Sequence, residues 1–567
     1  MSSLAIILGA AAFLFFVGYR LYGRLIERAL VAPNGAAQTP ATARRDGVDY
    51  EPTHPGVLFG HQFASIAGAG PIIGPIIAVV NFGWAASLGW ILLGSVFIGA
   101  VHDYLALMVS VRHGGASIAD VARTVMNRRA MIVFSIFLYT ALVLVVAVFG
   151  VVGAKTLVQT PEMVVPTFGI IPVAMGVGVC LYRWRLPLVV VTLVGLAITG
   201  GLILLGQEYP LAVSGEVLGL TPLHFWFVAL MGYAALASLM PVTLLLQPRD
   251  YLSSYLLYAA LGLGILAVLL VRPEMHVPAV STMVSDGQGP LWPMLFVVIA
   301  CGAVSGFHSL VSGGTTSKQL ANERDGLVIG YGAMLTEGLL ATLTLVLVGA
   351  GLYWVAPAGL APEDVERFVF PVVYQAGGPI VAFGNGFGRL VSECLPIPFA
   401  LAAVLAMITL NTFVLTTLDT ATRITRFIVQ EGFGPSLPVL QRPTLALALV
   451  IVPATALGMT NAWSAIWPVF GATNQLIAAL ALFVVTDYLI TVKRPTGFTL
   501  YPAYFMLVTT IAALAYLTSR FFADGKLFLA ALAVVLIVLA LYIGWEGLRG
   551  LRREGGEGAM AGEVEAA

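Results

Sequence analysis

Two stretches decide the fold: Gly60-His61-Gln62-Phe63-Ala64-Ser65-Ile66-Ala67-Gly68-Ala69-Gly70-Pro71-Ile72-Ile73-Gly74-Pro75 and Gly302-Ala303-Val304-Ser305-Gly306-Phe307-His308-Ser309-Leu310-Val311-Ser312-Gly313-Gly314-Thr315-Thr316-Ser317. Both are largely apolar, and both are interrupted by glycine, the first also by proline. Each carries a His, a Ser four residues on, and then a glycine pair. Lipid offers no hydrogen bonds, so irregular backbone at membrane depth must be buried in protein or line a wet cavity. Interrupted helices in matching halves of a chain point to a transporter's binding site.

The composition agrees. Of 567 residues, 59% are hydrophobic and 10% charged, and the mean hydropathy is +0.95. A soluble domain carries roughly 25% charged residues, so this reads as a polytopic protein with most of its mass in the lipid bilayer. The formal net charge is zero, which gives no sign of nucleic-acid binding or of a polybasic lipid tether. Cys180, Cys301 and Cys394 are scattered and odd in number. They read as packing residues, with neither a disulfide framework nor a metal site. Residues 1–22 lack a small-residue cleavage site and read as a retained first helix.

About 20 apolar residues cross a bilayer. Fifteen stretches qualify, near 4–22, 57–80, 86–111, 131–156, 164–182, 188–205, 222–246, 252–271, 291–312, 328–355, 399–420, 444–460, 464–488, 502–519 and 527–547. The Gly-rich, half-apolar stretch 368–390 reads as a re-entrant or surface segment. With the N-terminus outside and the C-terminus cytoplasmic, 22 Lys and Arg residues, Arg249 and Arg423 among them, fall inside and 6 outside. That is the positive-inside bias. The first interrupted helix then runs outward and the second inward. The pattern predicts an all-α membrane protein of about 15 transmembrane helices with a LeuT-like five-plus-five inverted repeat. Residues 1–56 are a first helix and loop, 57–205 the first repeat, 206–290 two inserted helices, 291–488 the second repeat, and 489–567 two helices and a tail.

Proline lacks an N–H and clashes one turn back, so Pro71 ends one helix and suits the first turn of another, with Gly70 as its cap. In the second stretch Gly313-Gly314 stops the helix, and Thr316-Ser317-Lys318-Gln319 fits a capping box. The non-helical regions are expected at Gly68–Pro71 and at 306–316. A half-helix N-terminus offers free N–H groups and partial positive charge, which suits a small carboxylate. The expected substrate-binding residues are His61, Gln62, Ser65, Gly68, Gly70, His308, Ser309, Ser312, Thr315 and Thr316. The bland alternative is close helix packing at the glycines and satisfied buried histidines.

Charge inside a membrane is costly, so Glu337, Asp419 and Asp103 are candidates for ion coupling. Glu337 lies deep in its span with no Lys or Arg nearby in sequence and is the best proton carrier. Asp103 and Asp419 are equally readable as interfacial ion pairs with Arg112 and Arg423. Thr416, Thr417 and Thr420 offer oxygens to Na⁺. Asn474-Gln475 reads equally as a structural or a functional polar pair. Walker A, His-Glu-x-x-His and Gly-x-Ser-x-Gly motifs are absent, and no cofactor is indicated.

Residues 60–71, Gly99-Ala100-Val101-His102-Asp103, residues 305–316, Thr417-Leu418-Asp419-Thr420-Ala421-Thr422-Arg423 and Gly471-Ala472-Thr473-Asn474-Gln475-Leu476 resemble the carbon starvation protein A family of bacterial inner-membrane proteins. The resemblance runs from about 46 to 490. It implies uptake of peptides or of pyruvate, the latter by proton symport, during nutrient limitation, and a place among the amino acid–polyamine–organocation transporters. The combined reading is a secondary transporter that imports a small carboxylate or short peptide with H⁺ or Na⁺. Its rivals are a nutrient sensor that keeps the transporter fold and an intramembrane metal-dependent hydrolase using His61 and His308.

Overall fold

The computed structural model describes residues 3–545 except 48, 126–127, 436, 461–462 and 543. Helix lies over described residues of each of the fifteen expected stretches, and the end of the last, 527–547, lies outside the described residues. Among the described residues, twelve helices are long and apolar enough to cross a membrane, and two, Pro443–Gly458 and Leu527–Tyr542, are apolar but shorter. The remaining stretch, 291–312, is split in two.

The helices that build the centre are α1 (Pro55–Ala67), α2 (Gly70–Phe82), α3 (Ala100–Arg112), α4 (Arg128–Gln159), α5 (Pro222–Leu239), α6 (Leu246–Val271), α7 (Leu291–Val298), α8 (Gly306–Gly314), α9 (Ala333–Gly351), α10 (Phe370–Cys394), α11 (Phe399–Ile428) and α12 (Trp463–Thr491). Burial departs from that of a soluble protein at both the surface and the centre. The Leu188–Glu208 helix exposes Val189, Leu193 and Val194, whereas His61, Asp103, Asp250, Glu337 and Asp419 are wholly buried. Apolar residues outside and ionisable ones inside suit lipid as the outer solvent.

The first break falls where the sequence places it. α1 ends at Ala67, and Gly68 turns the chain with φ +46°. A Cβ there would lie 2.8 Å from the Thr417 hydroxyl and 2.9 Å from the Phe149 ring, so conformation and space both require glycine. Pro71 stands in the first turn of α2. Gly70 is itself helical, and Ala69 holds the cap position expected of Gly70.

The second break lies upstream of the expected 306–316. The chain leaves the helix at Ile299 and resumes at Gly306, after an extended Ser305. Residues 306–314 are helical. The start of α8 is set from outside: the Phe307 N–H donates to Asn474 Oδ1 at 2.8 Å, and Asn474 also donates to the Ser305 hydroxyl at 2.9 Å. Gly313 stays helical, and a Cβ on it would come within 3.3 Å of the Ile118 nitrogen; its smallness serves packing. The expected capping box is a 3₁₀ turn, Thr316–Lys318, without a side-chain cap.

The stretch 368–390, expected as re-entrant or surface chain, is the 25-residue helix α10, bent at Gly378 (φ +69°). Its inner half buries Phe383, Phe387, Leu390 and Val391 and packs on α11 and α9. The sequence signal was weak because Gly377-Gly378-Pro379 lowers both helicity and hydropathy there.

Candidate functional site

The two breaks abut. A Cβ on Gly70 would lie 2.3 Å from Cys301 Cβ, and one on Gly302 would lie 3.5 Å from Pro71 Cα. Gly70 therefore packs one break against the other and lines no open space. The first-turn N–H groups are also largely spoken for. Ile72 and Ile73 donate to the Ala69 carbonyl at 3.2 and 2.9 Å, His308 to the Ser305 carbonyl at 3.3 Å, and Phe307 to Asn474. The helix ends are thus poorer anion sites than the sequence suggests.

Two buried clusters flank the breaks. In the first, Asp250 is the hub. Its Oδ2 meets His61 Nδ1 at 2.8 Å; its Oδ1 accepts from Arg249 Nη2 at 2.8 Å and from the Thr416 hydroxyl at 2.9 Å. Arg249 Nη1 donates to Asp419 Oδ2 and to the Tyr233 hydroxyl, and Tyr233 donates to Asp419 Oδ2 at 2.8 Å. Arg249 Nη2 also reaches the Thr416 hydroxyl at 3.0 Å. The cluster draws on α1, α5, α6 and α11. In the second cluster His308 Nδ1 meets Asp103 Oδ2 at 2.8 Å, His102 Nδ1 meets Asp103 Oδ1 at 2.8 Å, and His308 Nε2 lies 3.3 Å from Glu337 Oε2. This cluster joins α3, α8 and α9.

The expected pairs of Asp103 with Arg112 and of Asp419 with Arg423 do not form. Nine residues of helix separate 103 from 112, about 13 Å, and Arg112 turns to Glu323 at 3.2 Å. Arg423 serves the Ala237 and Met240 carbonyls and Asp49. Arg249, assigned by charge counting to an aqueous loop, is only 1% exposed.

The other expected residues divide by role. Gln62 ties the halves together, donating to Ser312 at 3.0 Å and accepting from Thr316 at 2.5 Å. Ser309 and Thr315 bond carbonyls of their own helical segment, as buried hydroxyls do when no other partner is present. Thr417 donates to the Ser65 carbonyl at 3.3 Å. The Ser65 and Thr420 hydroxyls, His61 Nε2, Asp419 Oδ1 and both Glu337 oxygens are buried without a hydrogen-bond partner. Asn474 and Gln475 bridge helices, Gln475 through the Phe296 carbonyl. His61 and His308 belong to separate clusters, and among the described residues no three His, Cys, Asp or Glu side chains are grouped to hold a metal.

Sequence reading missed Arg249, Asp250 and Tyr233 as site residues, and it named His102 beside Asp103 without giving it a role. One signal was present: Gln247-Pro248-Arg249-Asp250 leads directly into an apolar run, with proline suited to a helix's first turn. That places the charge pair inside the span.

A family model described as carbon starvation protein CstA matches residues 3–513. The chain belongs to the carbon starvation protein CstA family. CstA relatives include a peptide transporter CstA of Campylobacter jejuni, 32% identical over 88% of this chain and 78% of its own. A peptide transporter CstA of Mycobacterium tuberculosis is 35% identical over 84% of this chain and 70% of its own. The pyruvate/proton symporter BtsT of Escherichia coli is 32% identical over 89% and 80%. Among solved structures, a manganese transporter of Eremococcus coleocola, in complex with an aromatic bis-isothiourea substituted compound, superposes with a TM-score of 0.50 at 12% identity. It covers 90% of this chain and 99% of that one. That likeness concerns the fold alone, which is that of a polytopic α-helical membrane transporter.

Proposed function

We propose that this CstA-family chain is a secondary active transporter, not an enzyme, that imports a small carboxylate such as pyruvate, or a short peptide, with protons. It would work in a bacterial inner membrane during nutrient limitation, with its N-terminus outside and its C-terminus in the cytoplasm. The observation that carries this reading is the meeting of two helix breaks in the protein interior, each flanked by a buried histidine–aspartate cluster. Transporter sites are typically built at discontinuous helices near the bilayer midplane, around which one repeat rocks against the other. The names of the relatives support the substrate classes.

Residues 57–205 and 291–488 are read as inverted repeats. Their contacts support this: α2 packs on α9, and α8 packs on α3, so the second part of each broken helix lies against the following span of the other half. Protons are favoured over Na⁺ because the Thr416 hydroxyl, offered to sodium by the sequence, is held by Asp250 and Arg249. Among the described residues, Glu337 has only His308 as an ionic partner within reach. Neutralising it would remove a buried charge. Asp103 and Asp419 complete the set of proton-carrying acids. Uptake of labelled pyruvate and alanyl-alanine by liposomes holding the pure protein, with H⁺ and Na⁺ gradients imposed separately, tests the reading.

A further inference from the structure

We propose that the Arg249 guanidinium is the anchor for the substrate's carboxylate. Asp419, bonded to Arg249 in the structure, holds that place and yields it on taking up a proton.

The helix ends at the breaks have lost most of their free N–H groups, as described above, so another group must recognise an anion. Arg249 is suited to it. Its bonds go to side chains alone, Asp250, Asp419, Thr416 and Tyr233, whereas the buried Arg423 is tied to two backbone carbonyls. A guanidinium is a planar fork matched to carboxylates, and Arg249 Nε is still without a partner. A carboxylate is thus already bound to this fork, and it is one the protein supplies.

The partners divide into fixed and exchangeable. Asp250 is held by His61 and Thr416 as well as Arg249. Asp419 has Tyr233 and Arg249, both on Oδ2, and its Oδ1 has no partner. The neighbouring Thr420 hydroxyl is likewise buried without a partner, as are His61 Nε2 and, one turn along α1, the Ser65 hydroxyl. The ionisable groups facing Asp419 are Tyr233 from α5, Arg249 and Asp250 from α6, His61 from α1 through Asp250, and Arg423 on α11 itself. Arg423 is turned away toward Asp49.

Charge then links proton to substrate. One guanidinium stands against two buried carboxylates. A substrate carboxylate arriving alone would make three, which a low dielectric disfavours. A proton forms an O–H bond at Asp419 Oδ1, and the contact of Oδ2 with Arg249 breaks. The guanidinium then binds the substrate's oxygens. The charge of the cluster is the same with both guests as with neither, so the carboxylate is held well only when the proton comes with it.

The inference rests on the transporter reading, and calorimetry on the pure protein separates the two. Pyruvate and alanyl-alanine are titrated in buffers of different ionisation enthalpy. Wild type should bind at least one of them with uptake of about one proton. Asp419→Asn should bind without proton uptake. The charge-balanced double variant Arg249→Gln with Asp419→Asn should keep its thermal stability and bind roughly 100-fold more weakly. Arg249→Lys, which keeps the charge and loses the fork, should lose about tenfold and serves if the double variant does not fold. Loss of binding or retained proton uptake in Asp419→Asn overturns the inference. So does wild-type affinity in either Arg249 variant. Wild type that binds neither probe overturns the substrate reading and the inference with it.

Discussion

His61 and His308 occupy matching places in the two similar stretches, and each presents Nδ1 to an aspartate from another helix. Their surroundings differ in charge. The His61 cluster contains a guanidinium, whereas the His308 cluster contains two acids and, among the described residues, no Lys or Arg bonded to them. Glu337→Gln imitates a permanently protonated acid. It should keep exchange of substrate across liposomes and lose uphill accumulation, by about tenfold per pH unit for each coupled proton. Unchanged accumulation under a pH gradient would make Glu337 structural. At this scale Asp103, Glu337 and Asp419 were legible, because an ionisable residue inside an apolar run stands out, whereas Asp250 at the head of its run was not. Their partners were not. Asp250 lies 189 residues from His61 and Asp419 lies 170 from Arg249, and no local rule reports such pairings. The neighbours that were visible in sequence, Arg112 and Arg423, were the wrong ones.

Helix ends follow the same division. The first break was readable because its causes are local, a proline and a glycine at positive φ. The second was misplaced because Asn474, 167 residues on, supplies its cap. Asn474→Leu should strand the buried Phe307 N–H and lower stability by about 1–3 kcal/mol. Thermal unfolding in detergent measures this, and an unchanged midpoint would show that α8 is capped otherwise. A second element was unexpected. The loop 32–54 straps one end of the molecule: Thr53 bridges Leu320, Gln247 donates to Thr53 at 2.8 Å and to Gln319 at 2.5 Å, and Asp49 meets Arg423. If this strap opens during transport, cysteines at Thr53→Cys and Leu320→Cys should stop uptake when oxidised and restore it when reduced. Uptake that persists through the oxidised state would mean the strap stays shut throughout.

At the scale of the molecule, hydropathy and the spacing of apolar runs located nearly all the helices. Both signals come from the lipid as solvent and depend little on tertiary detail. Among the described helices of ten or more residues, α10 was the exception, because Gly and Pro weakened both signals there. Charge counting was less dependable: Arg249, Lys318, Arg423 and Arg426 were all assigned to water and are all buried, since this interior is polar enough to hold cations. In the proposed function this polar interior underlies transport against a gradient. The measurement that bears on it most directly is uptake of labelled pyruvate or alanyl-alanine into liposomes containing the wild-type protein, with the outside made acidic and no Na⁺ present. Transient accumulation above the external concentration, abolished by a protonophore, is the predicted result. Equilibration without accumulation under the pH gradient, or accumulation only when a Na⁺ gradient is supplied, would contradict proton coupling.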